Sequence, residues 1–365
     1  MFPSPSSPLA RQIAKEPGTP AVVIDLDVVE RNIARLQKAC DEAGLRNRPH
    51  IKTHKSPVLA RMQRDAGARG ITCQKLGEAE VMVAGGLDDI LISYNLVGEE
   101  KMARLARLVR EGATIRPCAD NAVAVDFYAD AARQAGCEIG VLVECDTGRE
   151  RAGVETPGEA IALARRIADH AGLRFDGLLL YAPEDKMAET QRYLDAVKAG
   201  LAEHGLEVTI VSTGGTPNLR NLGRIEGATE HRSGTSIFND RMMLACGAAT
   251  LEDCALKVYA TVVSRAGPER GILDSGSKTL TSDTGGGLDG HGLICELPGA
   301  RIRSFAEEHG MLDLSEAEAK PAIGDIVSII PNHVCVVVNM VDRLVTVRGD
   351  GLVGTIDVAA RGRIV

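Results

Sequence analysis

From Ala21 to about Cys246 the chain alternates short apolar runs with amphipathic stretches, and this rhythm narrows the possible folds more than any other feature. The strand-like runs are Ala21 to Ile24, Pro49 to Lys52, Gly70 to Cys73, Asp89 to Ile92, Thr114 to Cys118, Gly140 to Glu144, Phe175 to Leu180 and Val208 to Ser212. Helical periodicity covers Val28 to Ala43, Glu99 to Glu111, Ala122 to Ala135, Pro157 to His170 and Glu189 to His204 between them. Repeated strand–helix units predict a parallel sheet with helices outside. Eight such runs in about 230 residues predict a closed (β/α)8 barrel of the TIM type, whose chemistry gathers at the carboxyl ends of the strands. Lys52, Gln74, Asp120, Asp146, Tyr181 and the turn from Ser212 to Thr216 fall at such ends. After about Thr250 the texture changes to strand-like runs with few helices: Leu256 to Ser264, Gly271 to Asp274, Asp325 to Ile330, Val334 to Met340 and Leu344 to Val347. The expected organisation is an arm at 1–18, a barrel at 19–248 and a smaller β-rich domain at 249–365, with Gly285-Gly286-Gly287 as a mobile loop.

Composition excludes several classes of function. A formal net charge of −8 over 365 residues argues against nucleic-acid binding by bulk charge and suits an enzyme of small molecules. With no Trp and only 3% aromatics there is no stacking platform for single strands. No stretch approaches the roughly 18 apolar residues of a membrane span. The start, Met1-Phe2-Pro3-Ser4-Pro5-Ser6-Ser7-Pro8, lacks the basic and apolar regions of a secretory signal and reads as a flexible arm. Nine scattered cysteines without a C-x-x-C pair point to reduced thiols in the cytoplasm.

Three segments carry chemistry. In Arg48-Pro49-His50-Ile51-Lys52-Thr53-His54-Lys55-Ser56-Pro57, two lysines and two histidines fall within six positions. A lysine on a barrel strand suits a Schiff base, since burial and a neighbouring cation lower its pKa and free its amine. Taken alone, the run reads equally as a solvated basic strand end. Ser212-Thr213-Gly214-Gly215-Thr216 leaves a strand into a Gly-rich turn. Such turns let backbone N–H groups and hydroxyls approach phosphate, and at a late barrel strand this matches the usual phosphate site, although most Gly-Gly turns are only turns. In His333-Val334-Cys335 an imidazole and a thiol at i and i+2 share one face of a strand and can hold a borderline divalent ion. A buried His and a buried Cys are the ordinary alternative.

Together these residues resemble the alanine racemase-like (fold-type III) pyridoxal phosphate enzymes, and more narrowly the D-threonine aldolase and D-serine dehydratase family. The resemblance runs from Thr19-Pro20 to Ala360-Arg361-Gly362. It is most specific in Arg48 to Lys55, Gly70-Ile71-Thr72-Cys73-Gln74-Lys75, Ser212 to Thr216 and Pro331-Asn332-His333-Val334-Cys335. It implies a homodimer whose N-terminal arm joins the β domain. Lys52 matches the Schiff-base lysine, which also removes the α-proton of a D-amino acid; Lys55 is the rival within the motif. Gln74, Arg151 and Tyr181 match residues lining pyridoxal 5'-phosphate, with Tyr181 at the reacting centre. Arg151 could otherwise pair with Glu150 or Asp146. Gly234-Thr235 matches a second phosphate contact, where Ser236 stands in place of the common Tyr. His333 and Cys335 match the pair that holds a catalytic Zn or Mn ion, and His309 is a further catalytic candidate.

Two departures bear on the reaction. Many D-threonine aldolases have His directly after the barrel Tyr, where it serves as the base for the 3-hydroxyl; here Tyr181 is followed by Ala182-Pro183-Glu184-Asp185. Aldolases also often use His-x-Asp at the metal, and dehydratases His-x-Cys. Both features point to dehydration of a D-3-hydroxy amino acid, with retro-aldol cleavage as the alternative. Glu184, Asp185 or His309 could supply the missing base. A racemase and a non-catalytic cofactor-binding protein are lesser alternatives.

Overall fold

The structure is a computed structural model, and it describes residues 6–365. The first five residues of the expected arm lie outside the described residues. The chain forms two compact units. One comprises Ala34–Lys52, Ser56–Gly234 and Gly362–Val365; the other comprises Thr53–Lys55, Thr235–Arg361 and the described residues up to Ile33.

The first unit is a parallel eight-stranded sheet. Its strands neighbour one another in the order Arg46–Asn47, Glu230–Arg232, Ile210–Gly214, Leu173–Leu180, Ile139–Cys145, Thr114–Ala119, Asp89–Ile92 and Ile71–Cys73. A parallel bridge between His50 and Thr72, with the Thr72 N–H donating to Pro49 O at 2.8 Å, joins the first of these to the last and closes the barrel. Helices connect the strands, and their ends follow sequence-encoded caps. Asn121 accepts from the Ala124 N–H to start Ala122–Ala135, and Gly136 ends that helix with a left-handed φ of 66°. Its buried Tyr128 donates to Cys118 O at 2.7 Å and accepts from the Leu96 N–H at 2.8 Å, tying helix to sheet.

On one face of the strands Leu91, Cys118, Leu142 and Leu179 form an apolar cluster. Two residues before Leu91 and Cys118, and so on the same face, stand Asp89 and Arg116. Half-buried themselves, they belong to an ion network that reaches the buried Arg48, Glu230 and Asp176. Arg48 pairs with Asp89 and Glu230, each at 2.8 Å, and Arg116 with Asp89 at 3.1 Å and Asp176 at 2.9 Å. Each buried charge has a partner, as its desolvation requires.

The second unit is built on a nine-stranded, mainly antiparallel sheet. Its main order is Arg301–Phe305, Gly310–Asp313, Arg270–Leu273, Leu256–Ser264, Ala21–Asp25, Arg343–Arg348 and Gly351–Asp357, with Ile326–Ile330 pairing both Leu256–Ser264 and Leu293–Ile294. The helix Pro8–Lys15 places Ile13 against Ala21, Val23, Val345 and Val347 of this sheet. No described helix is long and apolar enough to cross a membrane.

Four elements differ from expectation, the first being Pro49 to Lys52, which follows the barrel strand Arg46–Asn47 and runs into a 3-10 turn at Ile51–Thr53. Ala21–Asp25 is a strand but not a barrel strand: it lies between Leu256–Ser264, antiparallel, and Arg343–Arg348, parallel. Its continuous apolar run suits a strand covered on both faces, in either sheet. The eighth barrel strand is instead Glu230–Arg232, hidden by its charge because Glu230 and Arg232 are satisfied inside the barrel. The run after His333 is helical over Val334–Val338, although five consecutive residues there are Val or Cys. The buried Asp240 carboxylate accepts the Val334 N–H at 3.0 Å and caps that turn, which overrides the β propensity of valine.

Candidate active site

Lys52 stands on a 3-10 turn, Ile51–Thr53, just beyond the barrel strand rather than on it. His50 organises the approach to this turn. Its N–H donates to Ser233 O at 2.9 Å, and its Nδ1 accepts the Lys52 N–H at 3.3 Å. The proton is therefore on Nε2, which lies 3.1 Å from Gln74 Oε1, while Gln74 Nε2 donates to Ser93 O at 3.1 Å. Gln74 thus acts on the lysine turn through His50. The Lys52 side chain is exposed, not buried as the sequence suggested. Lys55 is buried, with a left-handed φ of 51°, and its carbonyl accepts the Ala360 N–H at 3.0 Å. Of the two amines, the exposed Lys52 is the one open to a ligand.

Tyr181 follows the strand Leu173–Leu180 and packs on the Gly214-Gly215 turn. A Cβ on Gly215 would lie 2.3 Å from the tyrosine ring, and the residue has a φ of 102°, so only glycine fits. The ring also faces two guanidinium groups, Arg149 at 4.3 Å and Arg151 at 5.1 Å from its centroid. Arg149 is anchored to Tyr181 O, Ala182 O and the Glu184 carboxylate, the last at 2.6 Å. Arg151 is exposed; its backbone N–H donates to Asp146 Oδ2 at 3.1 Å, and its guanidinium lies 4.0 Å from Glu144 rather than on Glu150 or Asp146. Burial pushes the Glu144 carboxyl up from its ordinary range, and Arg151 and Arg232 only partly oppose this.

The Gly-rich turn is held from behind. Ser212 donates to Glu230 and accepts from Arg232, both at 2.6 Å, so its hydroxyl is fixed inside the barrel. Thr213 donates to Glu230 O at 3.2 Å, and Thr216 meets the Ser233 hydroxyl at 2.8 Å. The Gly215 N–H donates to Arg232 O at 2.8 Å, so this backbone donor is already engaged. Gly234 is buried, and Thr235 opens the short turn Thr235–Ile237.

A second cluster surrounds His333 and Cys335. Cys335, two residues after His333, acts electrostatically on its ring, so the two come together even though they do not lie on a strand. Cys335 Sγ lies 3.2 Å from Thr53 Oγ1 and 3.9 Å from Thr235 Oγ1. His333 Nδ1 lies 2.7 Å from Asp283 Oδ2. Burial acts to lower the His333 pKa, but Cys335 and Asp283 outweigh it and raise the imidazole to about 9. For Asp283, burial is outweighed by the Gly285 N–H and His333, which hold the carboxyl below its ordinary range. Asp283 was not legible as a site residue, because nothing local links it to a histidine fifty positions on. His309 is exposed between Arg301–Phe305 and Gly310–Asp313, outside the bonds around His333.

These residues fit the groups that the resemblance implies. An exposed lysine amine, cationic side chains around an aromatic ring and a glycine position with no room for a Cβ suit a planar anionic aldehyde such as pyridoxal phosphate. No three His, Cys, Asp or Glu side chains among the described residues converge on a metal position. A His–Cys pair alone leaves positions open, as a catalytic rather than a structural ion requires.

Two family models match the chain: alanine racemase, N-terminal domain, over residues 24–242, and putative serine dehydratase domain over residues 255–347. The D-threonine aldolase of Arthrobacter sp is 36% identical over 373 residues, covering 98% of this chain and 95% of that protein. The D-threo-3-hydroxyaspartate dehydratase of Delftia sp. (strain HT23) is 35% identical over 347 residues, covering 87% and 90%. A mutant of a D-threo-3-hydroxyaspartate dehydratase has been solved in a metal-free form. The crystal structure of the D-threonine aldolase from Filomicrobium marinum matches with a TM-score of 0.88 at 32% identity, covering 95% of this chain and 96% of that one.

Proposed function

The chain belongs to the alanine racemase-like pyridoxal phosphate enzymes, in the branch of D-threonine aldolase and D-threo-3-hydroxyaspartate dehydratase, and we propose that it is a metal-assisted lyase that dehydrates D-configured 3-hydroxy amino acids to a keto acid and ammonia. Lys52 would hold the cofactor aldehyde. Gln74 (through His50), Arg151 and Tyr181 would line the ring, and Thr213 to Thr216 with Gly234 and Thr235 would take the phosphate. Ser212 would support that turn from inside the barrel. His333 and Cys335 would hold Zn²⁺ or Mn²⁺. When bound, the cofactor supplies an electron sink for the substrate's α-carbon, and the metal a Lewis acid for its 3-hydroxyl. The Lys52 amine, exposed at the end of its turn, takes the α-proton. Arg151 adds positive charge beside Tyr181.

One observation carries the preference for dehydration. Retro-aldol cleavage needs a base for the 3-hydroxyl, yet Ala182 follows Tyr181 and the nearby Glu184 is tied to Arg149 at 2.6 Å. That carboxylate already accepts a hydrogen bond from the Arg149 guanidinium and is engaged there. The similarity to the Arthrobacter aldolase keeps cleavage to glycine and an aldehyde as the second reading. None of the nine cysteines forms a disulfide, in keeping with a cytoplasmic enzyme, and a homodimer is part of the proposal.

The test is product analysis by mass spectrometry with D-serine, D-threonine and 3-hydroxy-D-aspartate, in the presence of pyridoxal phosphate and Zn²⁺ or Mn²⁺. Keto acid plus ammonia supports dehydration. Glycine plus an aldehyde replaces it with aldol cleavage, and no turnover of any of the three overturns both.

A further inference from the structure

We propose that Asp283 is the positioning residue of His333, fixing the ring so that Nε2 is presented, unprotonated, to a divalent metal ion. The proposal rests on His333 being a metal ligand. A neutral imidazole has one N–H and one lone pair, and only the lone pair can bind a metal. Asp283 Oδ2 lies 2.7 Å from Nδ1, in the range of a charge-assisted hydrogen bond, and a carboxylate can only accept there. In the neutral ring that metal binding requires, the proton is thereby assigned to Nδ1 and the lone pair to Nε2. A carboxylate at this position also increases the basicity of the ligating nitrogen.

Asp283 is itself held through both its side chain and its backbone. Asp283 Oδ1 accepts the Gly285 N–H at 2.8 Å, and the Asp283 carbonyl accepts from Asn332 Nδ2 at 3.1 Å. Asn332 is buried and is the residue before His333. Its Nδ2 also donates to Gly290 O at 2.9 Å, and its Oδ1 accepts from Arg241 Nη1 at 2.7 Å. The chain from Arg241 through Asn332 to Asp283 therefore grips the acid and the residue next to the histidine together. Gly285 belongs to this device. A Cβ there would lie 3.0 to 3.2 Å from Met242, Leu288 and Asn332, at a φ of 60°. The Gly-rich turn thus closes on Asp283 and places an N–H on its carboxylate.

The test uses the holoenzyme with its cofactor retained and its metal removed by chelation. Zn²⁺ is titrated in competition with a chromophoric chelator into the wild type, Asp283→Asn, Asp283→Ala and His333→Ala. The expected result is a loss of about 10- to 100-fold in affinity for both Asp283 variants, with His333→Ala at least as weak. Nitrogen-15 NMR of the Zn²⁺-loaded protein, with His333→Ala as the assignment control, should show Nδ1 protonated in the wild type. In metal-free Asp283→Ala, compared with the metal-free wild type at a pH where the ring is neutral, the signal should become a mixture of tautomers, a change that a purely structural role would not produce. Asp283→Asn keeps an acceptor for Gly285 and serves if the alanine variant does not fold. If His333→Ala abolishes binding while both Asp283 variants stay within twofold of the wild type, the positioning role is overturned and the metal site stands. If the wild type and His333→Ala bind Zn²⁺ equally, the metal assignment itself falls, and the proposal with it.

Discussion

The Thr53 hydroxyl and the Cys335 thiol lie 3.2 Å apart, although 282 positions separate them in sequence. Thr53 is the residue after the proposed cofactor lysine, so the thiol is partnered by the end of the Ile51–Thr53 turn. His333→Ala and Cys335→Ala are expected to abolish turnover while leaving the cofactor's visible absorbance in place. Thr53→Val keeps the thiol but removes one hydroxyl beside it, and should weaken metal retention by up to about tenfold, the equivalent of one modest hydrogen bond. Metal content after dialysis, read beside the absorbance spectrum, checks all three.

Lys52→Ala should eliminate the visible absorbance of the bound cofactor, because its amine is the exposed one. Lys55→Ala should keep that absorbance and lower the unfolding temperature instead, since Lys55 is buried. An unchanged spectrum in Lys52→Ala would remove the assignment.

Gly215→Ala places a methyl group 2.3 Å from the Tyr181 ring at a backbone φ of 102°. The ring must move or the turn must open. Cofactor affinity is expected to fall by about tenfold or more, since a displacement costing ~1.4 kcal/mol already has that effect. Fluorescence titration of the apoenzyme with pyridoxal phosphate measures it, and an affinity equal to the wild type would show that the turn does not hold the cofactor.

His231 gives the fold an acid-sensitive component. Burial, with Arg232 beside it, pushes the imidazole from 6.5 down to about 3, and its buried Nε2 has no hydrogen-bond partner among the described residues. Above pH 6.5 the ring is neutral both folded and unfolded and contributes nothing. As pH falls from there towards 3, the unfolded chain takes up a proton that the folded chain refuses. Stability then declines by up to ~1.4 kcal/mol per pH unit from this group. His231→Leu, beside a cavity of about 20 Å³, should lose this component. Urea unfolding of both proteins between pH 7.5 and 4.5 should show the variant gaining on the wild type with acid, and a constant difference would refute the assignment.

Local pattern carried most of the barrel into view, but not the identity of every strand. Ala21 to Ile24 reads as a strand because its apolar run is continuous, yet a run of that kind does not say which sheet completes it. Glu230–Arg232 is invisible to hydropathy because its charges are paired by Arg48 and Ser212, from distant parts of the chain. The valines after His333 announce a strand, and Asp240, far away in sequence, makes them a helix turn. Of the candidate site, Lys52, Tyr181 and Gly215 could be singled out from their motifs. Asp283 could not, since its significance lies in a side-chain distance to His333 that no periodicity encodes.

The strand Ala21–Asp25 has both its neighbours, Leu256–Ser264 and Arg343–Arg348, more than 200 residues downstream. During synthesis at about 5–20 residues per second, its two edges stay unpaired for tens of seconds after it leaves the ribosome. The intervening residues that build the barrel can close in that interval. A bare Val22-Val23-Ile24 segment is adhesive in the meantime, so translation rate and chaperone supply, more than the stability of the finished molecule, should govern the yield of soluble protein.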